Sequence, residues 1–179
     1  MTKAIGSRIQ LDNSESRVAK DYIDCVKELL ESDEVKELDS FSQHLNTSRL
    51  QHSINVSYYS YLLCKHLKFD YKSAARAGLL HDLYLYNRHI QKFEESHTVY
   101  HPKEALKNAK KIAELNKIEE DAILKHMWPL CNGAPRYKES VVVTIVDKYC
   151  ATAEILKQIN SSFKAKCSNT KSKLTSKIL

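Results

Sequence analysis

The chain has 179 residues, of which 28 are Lys or Arg and 22 are Asp or Glu, so its formal net charge at pH 7 is +6. This length suits one domain and allows a core that needs no disulfide or structural metal to stabilise it. Only three glycines and three prolines are present, which favours helices over turn-rich sheets. Gly6, Gly78 and Gly133 lie too far apart for a P-loop or a dinucleotide-binding fingerprint.

The positive charge is concentrated at the C-terminal end. Five lysines follow residue 160, and no acidic residue follows Glu154: Lys164, Lys166, Lys171, Lys173 and Lys177. We predict a loose lead-in over residues 1–15, a helical domain over 16–160 and a basic, disordered tail over 161–179. Without the tail the charges nearly balance, and this argues against specific nucleic-acid binding.

Cysteine usage and hydropathy indicate a reduced, cytoplasmic protein. The five cysteines are odd in number and form no CxxC motif, which is typical of free thiols. No apolar signal-peptide segment is visible at the N-terminus. The longest apolar run, "VVVTIV", is too short to span a bilayer, so we expect no membrane association.

The first half of the chain predicts three helices. The first runs from about Ser16 to Glu31 on its apolar periodicity. "NTSRLQHSINVSYYSYLLCKHL" predicts the second, in which Ser48 and Gln51 fit a capping box and Leu45 shares a face with His52. Asp70 is expected to cap a third helix through "YKSAARAGLLHDLYLY".

The second half predicts a loop or broken helix over residues 87–100 and then three more helices. "HPKEALKNAKKIAEL" has Pro102 in its expected first turn, and "IEEDAILKHMW" is stopped by Pro129. "SVVVTIVDKYCATAEILKQI" begins like a strand, but its length without Gly or Pro favours a buried helix. The predicted fold class is therefore all-α, a single compact bundle of six or more helices.

Several titratable residues fall where these patterns predict burial. His52 lies on an apolar helix face, His81 and Asp82 interrupt "AGLLHDLYLY", and Asp147 interrupts "VVVTIVDKYCA". A buried carboxylate needs a cation or strong hydrogen-bond donors, and imidazole with carboxylate binds divalent transition metals well. The histidines could alternatively be satisfied by hydrogen bonds in the core. In a helical bundle, such side chains from separate helices can meet in the core.

The order H…HD…H…H…D over about residues 45–155 resembles the HD superfamily of metal-dependent phosphohydrolases and phosphodiesterases. The flanking segments are similar to small bacterial HD-domain proteins: "RLQHS", "AGLLHDLYLY", "HPKEALKNA", "KHMWPL" and "PRYKESVVVTIVDKYCATAE". The resemblance implies two divalent transition metals, such as Fe, Mn or Zn. It implies that one metal is bound by His52, His81, Asp82 and Asp147. The second would be bound by His101 and His126, with Asp82 bridging both.

The HD-GYP branch carries a lysine where this chain has Leu85, and the GYP motif is absent from the sequence, which disfavours the cyclic dinucleotide activity of that branch.

The working hypothesis is a phosphomonoesterase or phosphodiesterase acting on a small phosphorylated substrate such as a nucleotide. A water between the metals would lose a proton near neutral pH and attack phosphorus. Asp82 and Arg49 are the candidate catalytic residues. Candidate substrate contacts are Arg49, His97, Lys125, Arg136 and Lys148, each of which also fits a solvated side chain. Two alternatives remain: a dinuclear iron oxygenase of a small alcohol or phosphonate, and a nucleotide-binding HD domain without catalysis.

Overall fold

The structure is a computed structural model that describes residues 3–13, 15–44, 46–88, 90–91, 93–131 and 133–175, with side chains described up to residue 161. Leu45, which the sequence places on a helix face, lies outside the described residues. The helices are α1 (Arg17–Glu31), α2 (Asp33–Glu37), α3 (Arg49–His66), α4 (Tyr71–Leu80), α5 (His97–Ile112), α6 (Lys117–Lys125) and α7 (Lys138–Thr175). A 3-10 turn, Leu38–Ser40, leads into an antiparallel pair of short strands, β1 (Ser42–His44) and β2 (Thr47–Ser48). The all-α class is confirmed.

Helix starts follow the capping residues in the sequence. Ser16, Ser48 and Asp70 each accept a hydrogen bond from the backbone N–H three residues ahead and begin α1, α3 and α4. Asn116 begins α6 with a complete capping box, in which the Glu119 side chain accepts from the Asn116 backbone N–H. Short polar side chains thus satisfy N–H groups that a helix leaves without partners.

The predicted end of α4 and the predicted start of α5 were wrong. α4 ends at Leu80 rather than near residue 86, because the chain turns there and the Leu83 N–H donates to the Leu80 carbonyl at 3.1 Å. α5 begins at His97, four residues before the predicted start, because the N–H groups of Val99 and Tyr100 donate to the Ser96 carbonyl. Pro102 therefore lies inside the helix, where its missing N–H removes one backbone hydrogen bond.

The ambiguous β-branched segment is helical, as predicted. It belongs to α7, which has 38 residues and continues to Thr175. Most of the segment that the sequence predicts to be a disordered tail therefore has a helical backbone, and residues 176–179 lie outside the described part. The proposed domain boundaries stay a prediction.

The backbones of α3 and α4 approach each other closely at Gly78. A Cβ atom at this position would lie 2.8 Å from the Cα of Ser57, which is shorter than real contacts allow. The absence of a side chain therefore lets the two helix backbones touch. This contact also brings together two histidines, since the ring centroids of His52 on α3 and His81 after α4 are 5.4 Å apart.

Two further observations concern the chain as a whole. Among the described residues, no helix has both the length and the apolar composition needed to cross a membrane. Cys25, Cys64, Cys131 and Cys150 are free thiols, and the side chain of Cys167 lies outside the described part.

Candidate metal centre

The six predicted ligands meet in the interior of the bundle. Their exposed fractions are at most 8%: His52 0%, His81 0%, Asp82 3%, His101 4%, His126 1% and Asp147 8%. They come from α3, the turn after α4, α5, the end of α6, and α7. Distant parts of the chain thus place four imidazoles and two carboxylates in one buried cluster.

The first half of this cluster lies around Asp147. Its Oδ1 is 3.0 Å from Nε2 of His52 and 3.6 Å from Nε2 of His81. Nε2 of His81 is also 3.5 Å from Oδ2 of Asp82. His52, His81 and Asp147 place one potential ligand atom each within 4.8 Å of one another, a spacing that one metal ion can span.

The second half lies on the other side of Asp82. Oδ1 of Asp82 is 3.2 Å from Nε2 of His101 and 3.5 Å from Nε2 of His126. The two Nε2 atoms are 2.9 Å apart. Asp82 therefore directs one carboxylate oxygen toward each half of the cluster, as a bridging ligand must.

Hydrogen bonds on the outer side of the rings determine which nitrogen carries the proton. Nδ1 of His81 donates to the Gly78 carbonyl at 2.8 Å, and Nδ1 of His126 donates to the Ile123 carbonyl at 2.8 Å. Nδ1 of His101 donates to the His97 carbonyl at 2.6 Å. A carbonyl oxygen only accepts, so each Nδ1 is protonated, and in the neutral form of each ring the Nε2 lone pair points inward.

These lone pairs fit divalent cations. Nε2 of His81 and Oδ1 of Asp82 are buried without a hydrogen-bond partner among the described residues. The lone pairs of His101 and His126 face each other at 2.9 Å, which is repulsive unless a cation lies near both. A histidine that donates its outer N–H to a carbonyl and turns the other nitrogen inward is the usual arrangement of a metal ligand.

The ionisation states agree with this interpretation. Burial lowers the pKa of His126 to about 4, so this ring is uncharged at neutral pH and can offer a nitrogen lone pair to a metal. Burial by itself would raise the pKa of Asp82, but the surrounding imidazoles of His81, His101 and His126 hold it well below its usual value. The pKa of Asp147 is lowered in the same way by His52 and His81. Both carboxylates are therefore anionic, as metal ligands need to be.

His52 differs from the other three histidines because it lies between two carboxylates. Burial disfavours its charged form, but its bonds to Asp147 and Glu154 raise its pKa to about 10. Without a metal, a proton on Nε2 thus provides the positive charge that Asp147 requires. A metal that binds this nitrogen displaces that proton.

Arg49, the candidate catalytic cation, is buried behind the cluster with 1% exposure. Its guanidinium stacks on the Tyr84 ring at 3.5 Å and donates to the carbonyl oxygen of Tyr84 and, at 3.4 Å, to that of Tyr86. Its Nε donates to Oε1 of Gln43 at 3.1 Å, and Nε2 of Gln43 donates to Oδ2 of Asp82 at 2.5 Å. These contacts favour a role in holding Asp82 through Gln43 over direct contact with a phosphate.

His97 and Lys148 lie directly against the cluster. The His97 ring stacks on His101 with centroids 4.5 Å apart, and its Nδ1 is 3.3 Å from the hydroxyl of Tyr86. Nζ of Lys148 donates to Oδ2 of Asp147 at 2.8 Å and to the His126 carbonyl at 2.7 Å. The Lys148 side chain is 44% exposed, so it links the buried ligands to solvent.

The two remaining predicted contacts lie further out. Lys125 is the last residue of α6, and its Nζ lies beside Gly133. Arg136 is exposed in the α6–α7 connection, where its backbone N–H donates to Asp121 at 2.8 Å. Among the described contacts, none joins Arg136 to the histidine cluster.

Three residues beside the cluster were not predicted from the sequence. Gln43 and His44 lie on β1, where no pattern in the sequence distinguishes them. Glu154 is 1% exposed and contacts Nδ1 of His52. Glu154 could have been found, because it follows Asp147 by seven residues, which is two helical turns on the same face of α7.

Comparison with known families agrees with this geometry. The sequence model of the HD domain matches residues 49–152, more than half of the chain, and includes all six of the clustered histidines and aspartates. The chain belongs to the HD domain family, which is part of the metal-dependent phosphohydrolase superfamily. No curated protein and no solved structure gave a significant match.

Proposed function

We propose that the protein hydrolyses a phosphate ester or anhydride with two divalent transition metals bound by its six histidine and aspartate side chains. The observation that carries this proposal is the inward convergence of ionised carboxylates and Nε2 lone pairs, of which His81 Nε2 and Asp82 Oδ1 have no partner among the described residues. His52, His81 and Asp147 would bind one metal, and His101 and His126 the other. Asp82 would bridge the two.

When bound, two such cations activate a water and screen the charge of phosphate oxygens. The chain's own residues hold the ligands and exclude solvent. Gln43 restrains Asp82 by donating to its Oδ2, and Arg49 restrains Gln43. Leu79, Leu80 and Leu83, each with 0% exposure, supply an apolar wall around the His81–Asp82 turn. This dry environment strengthens electrostatic interactions with the substrate.

Lys148 is the strongest candidate for contact with the substrate phosphate. Its Nζ is 2.8 Å from Asp147 Oδ2, and 44% of its side chain is exposed. A phosphate at the metals would offer this ammonium group a second anion without moving its backbone. His97, stacked against His101, would contact the same substrate from the α5 side. The proposed partner is a small phosphorylated compound such as a nucleotide.

The test is a panel of nucleotides, phosphomonoesters and phosphodiesters, assayed with defined Fe, Mn or Zn and with or without oxygen. We expect phosphate release that persists under strict anaerobiosis and falls at least about 100-fold in His81→Ala, because a lost ligand removes activation of the attacking water. His66→Ala, at the exposed end of α3, is the matched control.

Two outcomes would contradict the proposal. Turnover that requires oxygen and consumes it would identify the dinuclear oxygenase instead. Unchanged phosphate release in His81→Ala would remove the histidine cluster from the reaction.

A further inference from the structure

A buried carboxylate lies behind the metal centre, on the outer side of His52. Glu154 is 1% exposed, and both of its carboxylate oxygens are 3.1 Å from Nδ1 of His52. The opposite ring nitrogen, Nε2, faces Asp147 at 3.0 Å. We propose that Glu154 is the positioning residue of His52, which holds the Nδ1 proton outward and directs the Nε2 lone pair to the first metal.

Asn55 fixes this carboxylate in place. Its Nδ2 donates to Oε1 of Glu154 at 2.7 Å. Its Oδ1 accepts from the Ile5 backbone N–H and from Nε2 of Gln51, both at 2.9 Å. Because Oδ1 already accepts two N–H groups, the amide has one satisfactory orientation, and that orientation presents its NH₂ group to Glu154. The N-terminal segment, Asn55, Glu154 and His52 thus form one continuous chain of hydrogen bonds.

Glu154 provides His52 with a stronger acceptor than the other histidines have. His81, His101 and His126 donate Nδ1–H to backbone carbonyls, whereas His52 donates to a carboxylate. A charge-assisted hydrogen bond of this kind orients the ring more firmly and increases the basicity of the nitrogen that binds the metal. The two halves of the centre therefore differ, and the first metal is the one whose affinity depends on Glu154.

Glu154 could instead be a metal ligand itself, because its carboxylate, His44 and His52 also cluster within 4.8 Å. A cation there would bind Nδ1 of His52. If Nε2 holds the first metal, Nδ1 could bind a second cation only after the ring had lost its last N–H proton. The ring therefore keeps its Nδ1 proton, which Glu154 accepts at 3.1 Å, and this favours positioning over coordination.

The experiment is zinc binding to the metal-free full-length protein, measured by calorimetry and elemental analysis. Wild type should bind about two zinc ions per chain. Glu154→Gln and Glu154→Ala should retain this stoichiometry at saturating zinc, with the affinity of one site lowered about 10-fold to 100-fold, as expected when the carboxylate behind a ligand histidine is lost. Asn55→Ala keeps the Glu154 carboxylate but removes the hydrogen bond that restrains it, so the affinity of the same site should fall by less.

Nitrogen-15 NMR of the zinc-loaded protein distinguishes positioning of His52 from a general effect of Glu154 on stability, because it reports on the Nδ1 proton itself. In wild type the Nδ1 proton of His52 should be protected from exchange with solvent, and in Glu154→Ala this protection should be lost. Glu139→Gln is the matched control, because Glu139 is another buried glutamate of α7, with 3% exposure, whose side chain accepts from the Asp70 backbone N–H instead.

This inference rests on the metal centre of the proposed function, and different results would overturn the metal centre and the positioning role of Glu154. If wild type binds no zinc, the metal centre itself is overturned. If wild type binds zinc and Glu154→Ala binds it with equal affinity, only the positioning role is overturned. If Glu154→Gln and His44→Ala each remove one zinc ion per chain, Glu154 is a ligand and the positioning role is likewise overturned.

Discussion

A histidine binds a metal through a ring nitrogen that carries no proton. The position of the proton on each ring therefore decides which nitrogen is available to a metal. Three of the four clustered histidines donate Nδ1–H to a carbonyl three or four residues earlier in the chain. These local bonds leave Nε2 available for a metal. The arrangement depends on backbone atoms, which most substitutions leave in place. The vulnerable points are therefore the side chains that restrain the ligands, namely Gln43, Arg49 and Glu154.

Arg49 allows a direct test of such restraint. Arg49→Lys keeps the positive charge but loses the planar stack on Tyr84 and the bond to Gln43. We expect the free energy of unfolding to fall by about 3 kcal/mol, because buried acceptors lose a charged donor. We also expect kcat to fall with little change in KM, since the residue holds Asp82 in place. Urea unfolding and steady-state kinetics measure both effects.

Arg8→Lys, at an exposed position, is the matched control for this substitution. A large rise in KM at constant kcat would contradict positioning by Arg49 and support direct contact with the substrate phosphate.

At the level of elements, the ends of helices place the ligands. His81 follows the last residue of α4 and His126 follows the last residue of α6, and both have helical backbone angles. The final carbonyls of a helix lack intrahelical partners, so a histidine in the next turn can donate to one of them and turn its other nitrogen away. Two short helices thus present His81 and His126, the two candidate ligands, in the same way.

The spacing between α3 and α4 is the second determinant at this level. Gly78→Ala would place a Cβ atom 2.8 Å from the Ser57 backbone and push the two helices apart. We expect a loss of about 1–3 kcal/mol in the free energy of unfolding, as is typical of overpacking, together with weaker zinc binding as His81 moves away from His52. Thermal unfolding and calorimetry measure the two effects.

Lys72→Ala, on the exposed side of α4, introduces alanine into the same helix without the clash and should be neutral. An unchanged zinc affinity in Gly78→Ala would show that the contact between the helices does not set the geometry of the site.

In the whole molecule, the candidate metal centre joins segments that are far apart in sequence. His52 and Asp147 are 95 residues apart and lie 3.0 Å from each other. A cation that binds only the folded arrangement stabilises it by mass action. Each metal at about 1,000 times its dissociation constant should raise the free energy of unfolding by about 4 kcal/mol, so two metals should raise it by about 8 kcal/mol. Removal of both metals by a chelator should therefore lower Tm by about 20 °C.

Differential scanning calorimetry with and without chelator measures this effect, and Asp82→Asn is the comparison that should lose most of the metal-dependent shift. An unchanged Tm in wild type that has demonstrably lost its metal would contradict a centre shared by the whole fold.

Much of this protein was predictable from local chemistry. The starts of α3 and α4 followed from Ser48 and Asp70, because a capping side chain bonds within its own turn. The failures were at α4, whose end depends on a turn, and at α5, whose first turn is held by backbone bonds to Ser96. In both cases the hydrogen bonds that set the boundary are made by the main chain. Such bonds depend little on which side chains are present, so the sequence hardly predicts them.

Scarce Gly and Pro and the periodicity of apolar residues were enough to predict the helical class, and the histidines and aspartates that interrupt apolar segments were visible before folding was considered. How those residues are used depends on the folded chain. Folding buried Arg49 behind Gln43, placed Lys148 at the edge of the cluster and brought Glu154 to His52 across 102 residues of chain. Local propensity acts over one or two turns, whereas the direction and ionisation of a buried side chain depend on neighbours that only folding supplies.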